Sequence, residues 1–147
     1  MVEIASELLR VVDAAEAGLR QVNEDQSAQP ALRGGWSRKQ LIGHLIDSAS
    51  NNHQRFVRAA IAGELVFPGY AQDENVRVQA VQELDWGLLI TLWASYNRLL
   101  AHVIAKLPAD QLSAICRIGN GEPVTLEFLV KDYLGHLKHH LEQIGIL

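Results

Sequence analysis

Imidazole is the side chain that most often ligates a divalent metal, and three of the six histidines in this 147-residue chain fall within ten residues. The stretch reads GHLKHHLEQI, from Gly135 to Ile144, and carries His136, His139 and His140. If it is helical, each residue advances by about 100°. His136 and His140 then share a face one turn apart, and His139 falls about 60° the other way. The apolar set Leu126, Val130, Tyr133, Leu137, Leu141 and Ile144 lies on the His140 side. His136 and His140 therefore sit on the shoulder of the buried face, and His139 turns towards solvent.

A second segment, RKQLIGHLIDSASNNHQRF, repeats the arrangement. Leu41, Leu45, Ala49, Phe56 and Ala60 form its apolar face, with His44 on the corresponding shoulder and His53 about 180° from His44. Three neutral imidazoles from two helices, with no fourth protein ligand, describe an open metal site. Taken alone, an H-x-x-x-H pair is a weak motif, so the residues also allow hydrogen-bonded histidines at a core edge. Asp47, Ser48, Asn51 and Arg55 fall within about 60° of His44. As a pocket wall, Arg55 would hold an anion, and Asp47 or Ser48 would orient an imidazole from behind. As an ordinary helix face, the same strip would be solvated. His102 reads as a surface or hydrogen-bonded core residue rather than a ligand.

Four helices must position these groups. The first runs from about Ile4 to Val22, with Ile4, Leu8, Val11, Val12, Ala15, Leu19 and Val22 as one stripe. The polar run NEDQSAQP breaks it. Ser37 caps the second, with Gln40 completing a capping box and Trp36 and Leu41 at the two positions of a hydrophobic staple. That helix extends to about Ala62, and Gly63 ends it. A long connection follows, with Pro68, Gly69 and a short helical piece; Tyr70 and Asp73 on it are candidates to cover a pocket mouth, since long connections in small domains are often functional. The third helix spans about Asp85 to Lys106, with Leu89, Leu92, Trp93, Tyr96, Leu99, Leu100, Val103 and Leu107 as its apolar face. Pro108 closes it, and ADQL makes one turn. Thr125 caps the fourth helix, which reaches about Ile144 before Gly145. A brief hairpin is allowed between Cys116 and Val124. Otherwise the pattern predicts a single all-α domain over residues 1–147, a four-helix bundle.

Composition narrows the function classes. The net charge is −4 and there is no Lys/Arg cluster, which argues against a nucleic-acid partner. Cys116 is the only cysteine, so no internal disulfide forms; this fits a reducing, cytoplasmic setting, and the thiol reads as structural. The N-terminal segment lacks a signal-peptide pattern, and no apolar stretch reads as a membrane span.

GWSRKQLIGHLIDSASNNHQRF followed by DYLGHLKHHLEQI resembles the DinB-like superfamily (DinB/YfiT-like metalloenzymes), closest to its bacillithiol S-transferase branch. The resemblance covers Trp36 to Ile144. It implies a four-helix bundle with an unusual connection order and a divalent metal, zinc or nickel, held by His44, His136 and His140. It also implies a homodimer and a small-molecule substrate, with a low-molecular-weight thiol as co-substrate. The activity so implied is thiol S-transfer, with metal-dependent hydrolysis or a non-enzymatic metal-binding stress protein as alternatives. Arg55, Asn51 and Tyr70 are the expected substrate-binding residues, and Asp47 and Ser48 the supports of the ligand imidazoles. No catalytic acid or base is assigned.

Overall fold

A computed structural model describes residues 1–31 and 35–147. The long helices are α1 (Val2–Leu19), α3 (Arg38–Ala62), α5 (Trp86–Lys106) and α6 (Leu126–Ile144), with short α2 (Glu24–Ser27) and α4 (Gln72–Val78) in the connections. The helix ends follow their capping residues. Ser37 accepts from the Gln40 backbone while the Gln40 side chain accepts from the Ser37 N–H, and Gly63 takes the left-handed conformation at φ 77° that stops α3. Asp85 and Thr125 cap α5 and α6. The run NEDQSAQP is not only a break. Asn23 and Gln26 make a second capping box and start α2, a signal present in the sequence as N-x-x-Q.

α1 packs chiefly on α5, α5 on α3, α3 on α6, and α6 on α1. Helices consecutive along the bundle, α1 with α3 and α5 with α6, are therefore diagonal partners, which only long connections permit. The all-α expectation needs one correction. β1 (Glu64–Phe67), β2 (Ile115–Ile118) and β3 (Val124–Thr125) form a small sheet in the order β1-β2-β3. The β2–β3 pair matches the hairpin expected there, with Cys116 opposite Val124. β1 is an addition, although Leu65, Val66 and Phe67 between Gly63 and Pro68 are strand-formers bounded by breakers. It pairs in parallel with β2, Leu65 opposite Cys116, and so joins the connection after α3 to the one before α6. Cys116 is wholly buried and burial pushes its thiol pKa up, in keeping with a structural role.

α5 departs from expectation in two ways. Leu92 and Leu99, assigned above to its core face, are each 47% exposed. The buried face is instead Leu89, Ile90, Trp93, Ala94, Leu100, Ala101 and Ile104. The helix thus carries leucines on both sides; by length and composition alone it is apolar enough to cross a membrane, and its Trp93 face lies in the core of the bundle.

The connection between α3 and α5 seats on α3 at Gly43, where an added Cβ would lie 2.5 Å from Val81 Cγ1. Helix propensity alone favours Ala over Gly by about 1 kcal/mol, whereas overpacking costs about 1–3 kcal/mol. Gly43→Ala should therefore lower thermal stability in the native sequence, and become neutral or stabilising once Val81→Ala has opened the space. Equal effects of Gly43→Ala in the two backgrounds would contradict this packing.

Candidate metal centre

His44 is fully buried in the second turn of α3, one residue after Gly43. His136 and His140 are half-buried on α6, which packs against α3. Their rings meet edge-on with centroids 4.5–5.0 Å apart. His136 Nε2 is 3.1 Å from His44 Nε2 and 3.0 Å from His140 Nε2, and one nitrogen of each ring lies within 4.8 Å of the others. Trp36 lies across His44, ring centroids 5.3 Å apart, so the residue before the cap also walls this site.

The outer nitrogen of His140 fixes its tautomer, and that of His136 has a hydroxyl that can accept its proton. The Gln143 carboxamide donates Nε2–H to His139 and accepts at Oε1 from His140 Nδ1, 2.7 Å away. The Ser48 hydroxyl is 3.5 Å from His136 Nδ1. Protons on these Nδ1 atoms leave both Nε2 lone pairs facing inward. Burial, then the neighbouring imidazoles, lower the pKa of His44 and His136 to about 4. Burial, first among several causes, also lowers that of His140. Converging lone pairs on neutral imidazoles need a cation between them. Nitrogens about 2.0–2.1 Å from a tetrahedral divalent ion stand roughly 3.3 Å apart, close to the two spacings that His136 makes with His44 and His140. The donor set therefore fits such an ion. His44 Nδ1 is buried with no hydrogen-bond partner among the described residues.

The polar strip of α3 is not solvated. Asp47, Ser48, Asn52 and Arg55 are all buried. Ser48, Asn52 and Arg55 line one side of a cavity of about 250 Å³, bounded also by Gly69, Tyr70 and Gln72 of the connection and by Asp132, Tyr133 and His136 of α6. Arg55 is 9% exposed and has no carboxylate within ion-pair distance among the described residues. Its Nη1 donates weakly to Asn52 Oδ1 at 3.4 Å, its Nε is unpartnered, and its guanidinium lies 5.5 Å over the Phe67 ring. Burial lowers its pKa. Tyr70 brings its hydroxyl against Ser48, and burial, then the Asp47 charge, raise its pKa.

Several expectations change in detail. Asp47 supports no imidazole: both its oxygens accept from Gln79 Nε2 at 3.0 Å, which ties α3 to the residue after α4. Asn51 turns back to the Asp47 carbonyl, and Asn52 takes its place on the cavity wall. Asp73 is exposed, and its neighbour Gln72 reaches the cavity instead. Asp132 was missed, yet it stands four residues before His136 and so one turn away on the same face. His53 stands apart against Tyr96 on α5, and His102 is exposed. His139 is exposed but not idle, since it engages Gln143.

The model of the DinB superfamily matches residues 7–144. A relative from Bacillus licheniformis is 26% identical over 125 residues, covering 84% of this chain and 71% of its own. One from Geobacillus thermodenitrificans is 25% identical over 133 residues, covering 90% and 75%. Both carry the name "putative metal-dependent hydrolase". Among solved structures, YfiT from Bacillus subtilis superposes with a TM-score of 0.82 at 21% identity, over 96% of this chain and 83% of that one. It is described as "a probable metal-dependent hydrolase with an unusual four-helix bundle topology". A mycothiol-dependent maleylpyruvate isomerase superposes with a TM-score of 0.79 at 18% identity, over 99% of this chain but 61% of that one. These two likenesses establish the fold.

Two outcomes check the centre. His136→Ala should abolish most divalent-metal binding, read by elemental analysis or calorimetry, and His139→Ala should retain it; equal loss from both would contradict the ligand set. The second outcome concerns the metal-free protein. Its His44 and His136 resist protonation down to about pH 4, whereas unfolded imidazoles titrate near 6.5. Below that value the unfolded chain binds more protons than the folded one, so stability falls as pH drops. The melting temperature should decline between about pH 6.5 and 4, and decline less in His136→Gln. The same decline in both proteins would rule His136 out as its source.

Proposed function

The chain belongs to the DinB superfamily, and on that premise we propose that it is a divalent-metal-dependent enzyme that transfers a low-molecular-weight thiol bearing a carboxylate to a small electrophile. The observation that carries this reading is Arg55. A buried guanidinium without a carboxylate partner is costly unless an anion completes it, and this one opens onto the same cavity as His136.

The roles follow from the chain's own groups. His44, His136 and His140 stay neutral at physiological pH and so present lone pairs rather than positive charge. A divalent cation held by them lowers the pKa of a coordinated thiol or water towards neutrality. Arg55 takes the carboxylate in a fork of N–H donors, with the Phe67 ring behind the guanidinium restricting its swing. Tyr70 stays protonated and supplies an O–H donor at the cavity mouth. Ser48 holds the His136 ring through Nδ1. Zinc and nickel both suit an imidazole set.

Metal-dependent hydrolysis is the second reading, and the names of the two sequence relatives favour it. It uses the same site with water in place of thiol. Thiol dependence separates the two. Conjugation of a chromogenic electrophile should be fast only with metal and thiol together, tested across several carboxylate-bearing thiols. Arg55→Ala should raise the KM for the thiol more than it lowers kcat. Turnover unchanged when every thiol is omitted would overturn the transfer reading in favour of hydrolysis.

A further inference from the structure

Two opposite charges share the cavity without meeting. Among the described residues that line it, only Arg55 on α3 and Asp132 on α6 carry charge, since His136, with its pKa lowered to about 4, is neutral at physiological pH. Arg55 and Asp132 form no ion pair with each other or with any other described residue. Ser48, Asn52, Tyr70 and Gln72 add only neutral hydroxyls and carboxamides to the wall. A guanidinium and a carboxylate placed to stabilise the fold would meet in a paired, hydrogen-bonded geometry. These two instead face a common space of about 250 Å³, which leaves room for a molecule between them.

We propose that the molecule held there is a free, sulfur-bearing amino acid, its carboxylate on Arg55 and its ammonium on Asp132; this rests on the reading of the cavity as the site of the thiol. Arg55 by itself accepts any small carboxylate. Asp132 narrows the choice. An anion drawn in by Arg55 meets a second negative charge on the α6 wall. A ligand that also carries an ammonium cancels that charge, whereas a simple mercapto-acid does not. One carboxylate thus attracts the zwitterion and repels its amine-free analogues, and selectivity uses both effects. His136 stands one turn beyond Asp132 on the same helix face and, being neutral, does not repel the ammonium. The Asp132 carboxylate also offsets the repulsion that an ammonium would meet from a divalent ion held by His136.

Size points the same way. Pockets for drug-sized ligands run to about 300–1,000 Å³, and this one holds about 250 Å³. An amino acid is small enough to place both charged groups inside, while a long conjugate would have to leave through the mouth beside Tyr70. The competing role for Asp132 is proton transfer at the metal centre. In that role it would be indifferent to whether the ligand carries an amine.

The experiment is calorimetry on the full-length, zinc-loaded protein with S-methylcysteine, a thioether that cannot be deprotonated at sulfur and so cannot turn over. Its N-acetyl form and its methyl ester each remove one of the two charges. Each should bind roughly 10- to 100-fold more weakly than the zwitterion, the worth of one hydrogen bond to a charged group. Asp132→Asn, at an exposed position, should erase the penalty of acetylation and keep that of esterification. Arg55→Gln should do the reverse, and Asp132→Asn decides alone if that variant does not fold. Equal affinity for S-methylcysteine and its N-acetyl form would overturn the proposal, as would no binding of S-methylcysteine. An Asp132→Asn protein that still rejects the N-acetyl form would overturn it too, and lower turnover in that protein would then assign Asp132 to proton transfer. The transfer reading is tested separately. Turnover that needs no thiol, together with intact rejection of the N-acetyl form, would remove that reading and keep the amino-acid ligand.

Discussion

A row of polar groups on α3, from His44 to Arg55, is buried against α6 and under the connection that follows α3. Buried polar groups destabilise a fold unless each finds a partner. Much of the molecule around the row supplies partners. Gln79 donates to Asp47, Ser48 meets His136 and Tyr70, and Asn52 donates to the Ser48 carbonyl. Along this row, what the chain leaves incomplete is confined to two places: the converging imidazoles, and the Arg55 guanidinium. His136 of the first and Arg55 line one cavity; the imidazoles call for a cation and the guanidinium for an anion.

Two sets of contacts hold the connection over the cavity. The small sheet anchors its start, since β1 pairs with β2 and the Phe67 carbonyl then accepts from Gly119 N at 2.8 Å. Val81, packed into the space left by Gly43, anchors its end. A polar clasp lies beside that end. Lys39 is 4% exposed, pairs with Glu24 and donates to the Leu84 carbonyl at 2.5 Å, while Glu24 also accepts from Trp86 N at 3.0 Å. The Ser37 hydroxyl donates to Gln82 at 2.6 Å. The residue that starts α3 therefore also fixes the segment leading into α5, so a helix cap and a tertiary contact depend on one hydroxyl. With Leu65 and Val81 in the core on either side of Tyr70, the cavity mouth is bounded by segments that are each tied to the bundle.

The diagonal arrangement of α1 with α3 and of α5 with α6 has a consequence for the site. It makes α3 and α6 direct neighbours, though α5 intervenes between them in sequence. His44 and His136 are thereby brought together across 92 positions. The small sheet ties the connection after α3 to the one between α5 and α6, the second of which spans a diagonal.

The sequence by itself determined the long helices, because their signals are local. Caps at Ser37, Asp85 and Thr125, stops at Gly63 and Gly145, and the 3.6-residue rhythm of Leu41, Leu45 and Phe56 each act within a few residues. It also placed His44, His136 and His140 on matching shoulders, since two of them lie a turn apart and the third shares its angle to an apolar stripe. Tertiary structure decided what depends on neighbours distant in sequence. Period alone left open whether the strip beside His44 was wet or buried; the packing of α6 and of the connection buried it. Asn52 rather than Asn51, and Gln79 rather than an imidazole for Asp47, were settled by a modest rotation about the helix axis and by contacts from another segment. β1 required β2 as a partner, and four residues in isolation do not form a strand. On α5 both faces carry leucines, so the hydrophobic pattern cannot say which one enters the core. Packing against α1 and α3 chose the Trp93 side and left Leu92 and Leu99 outside.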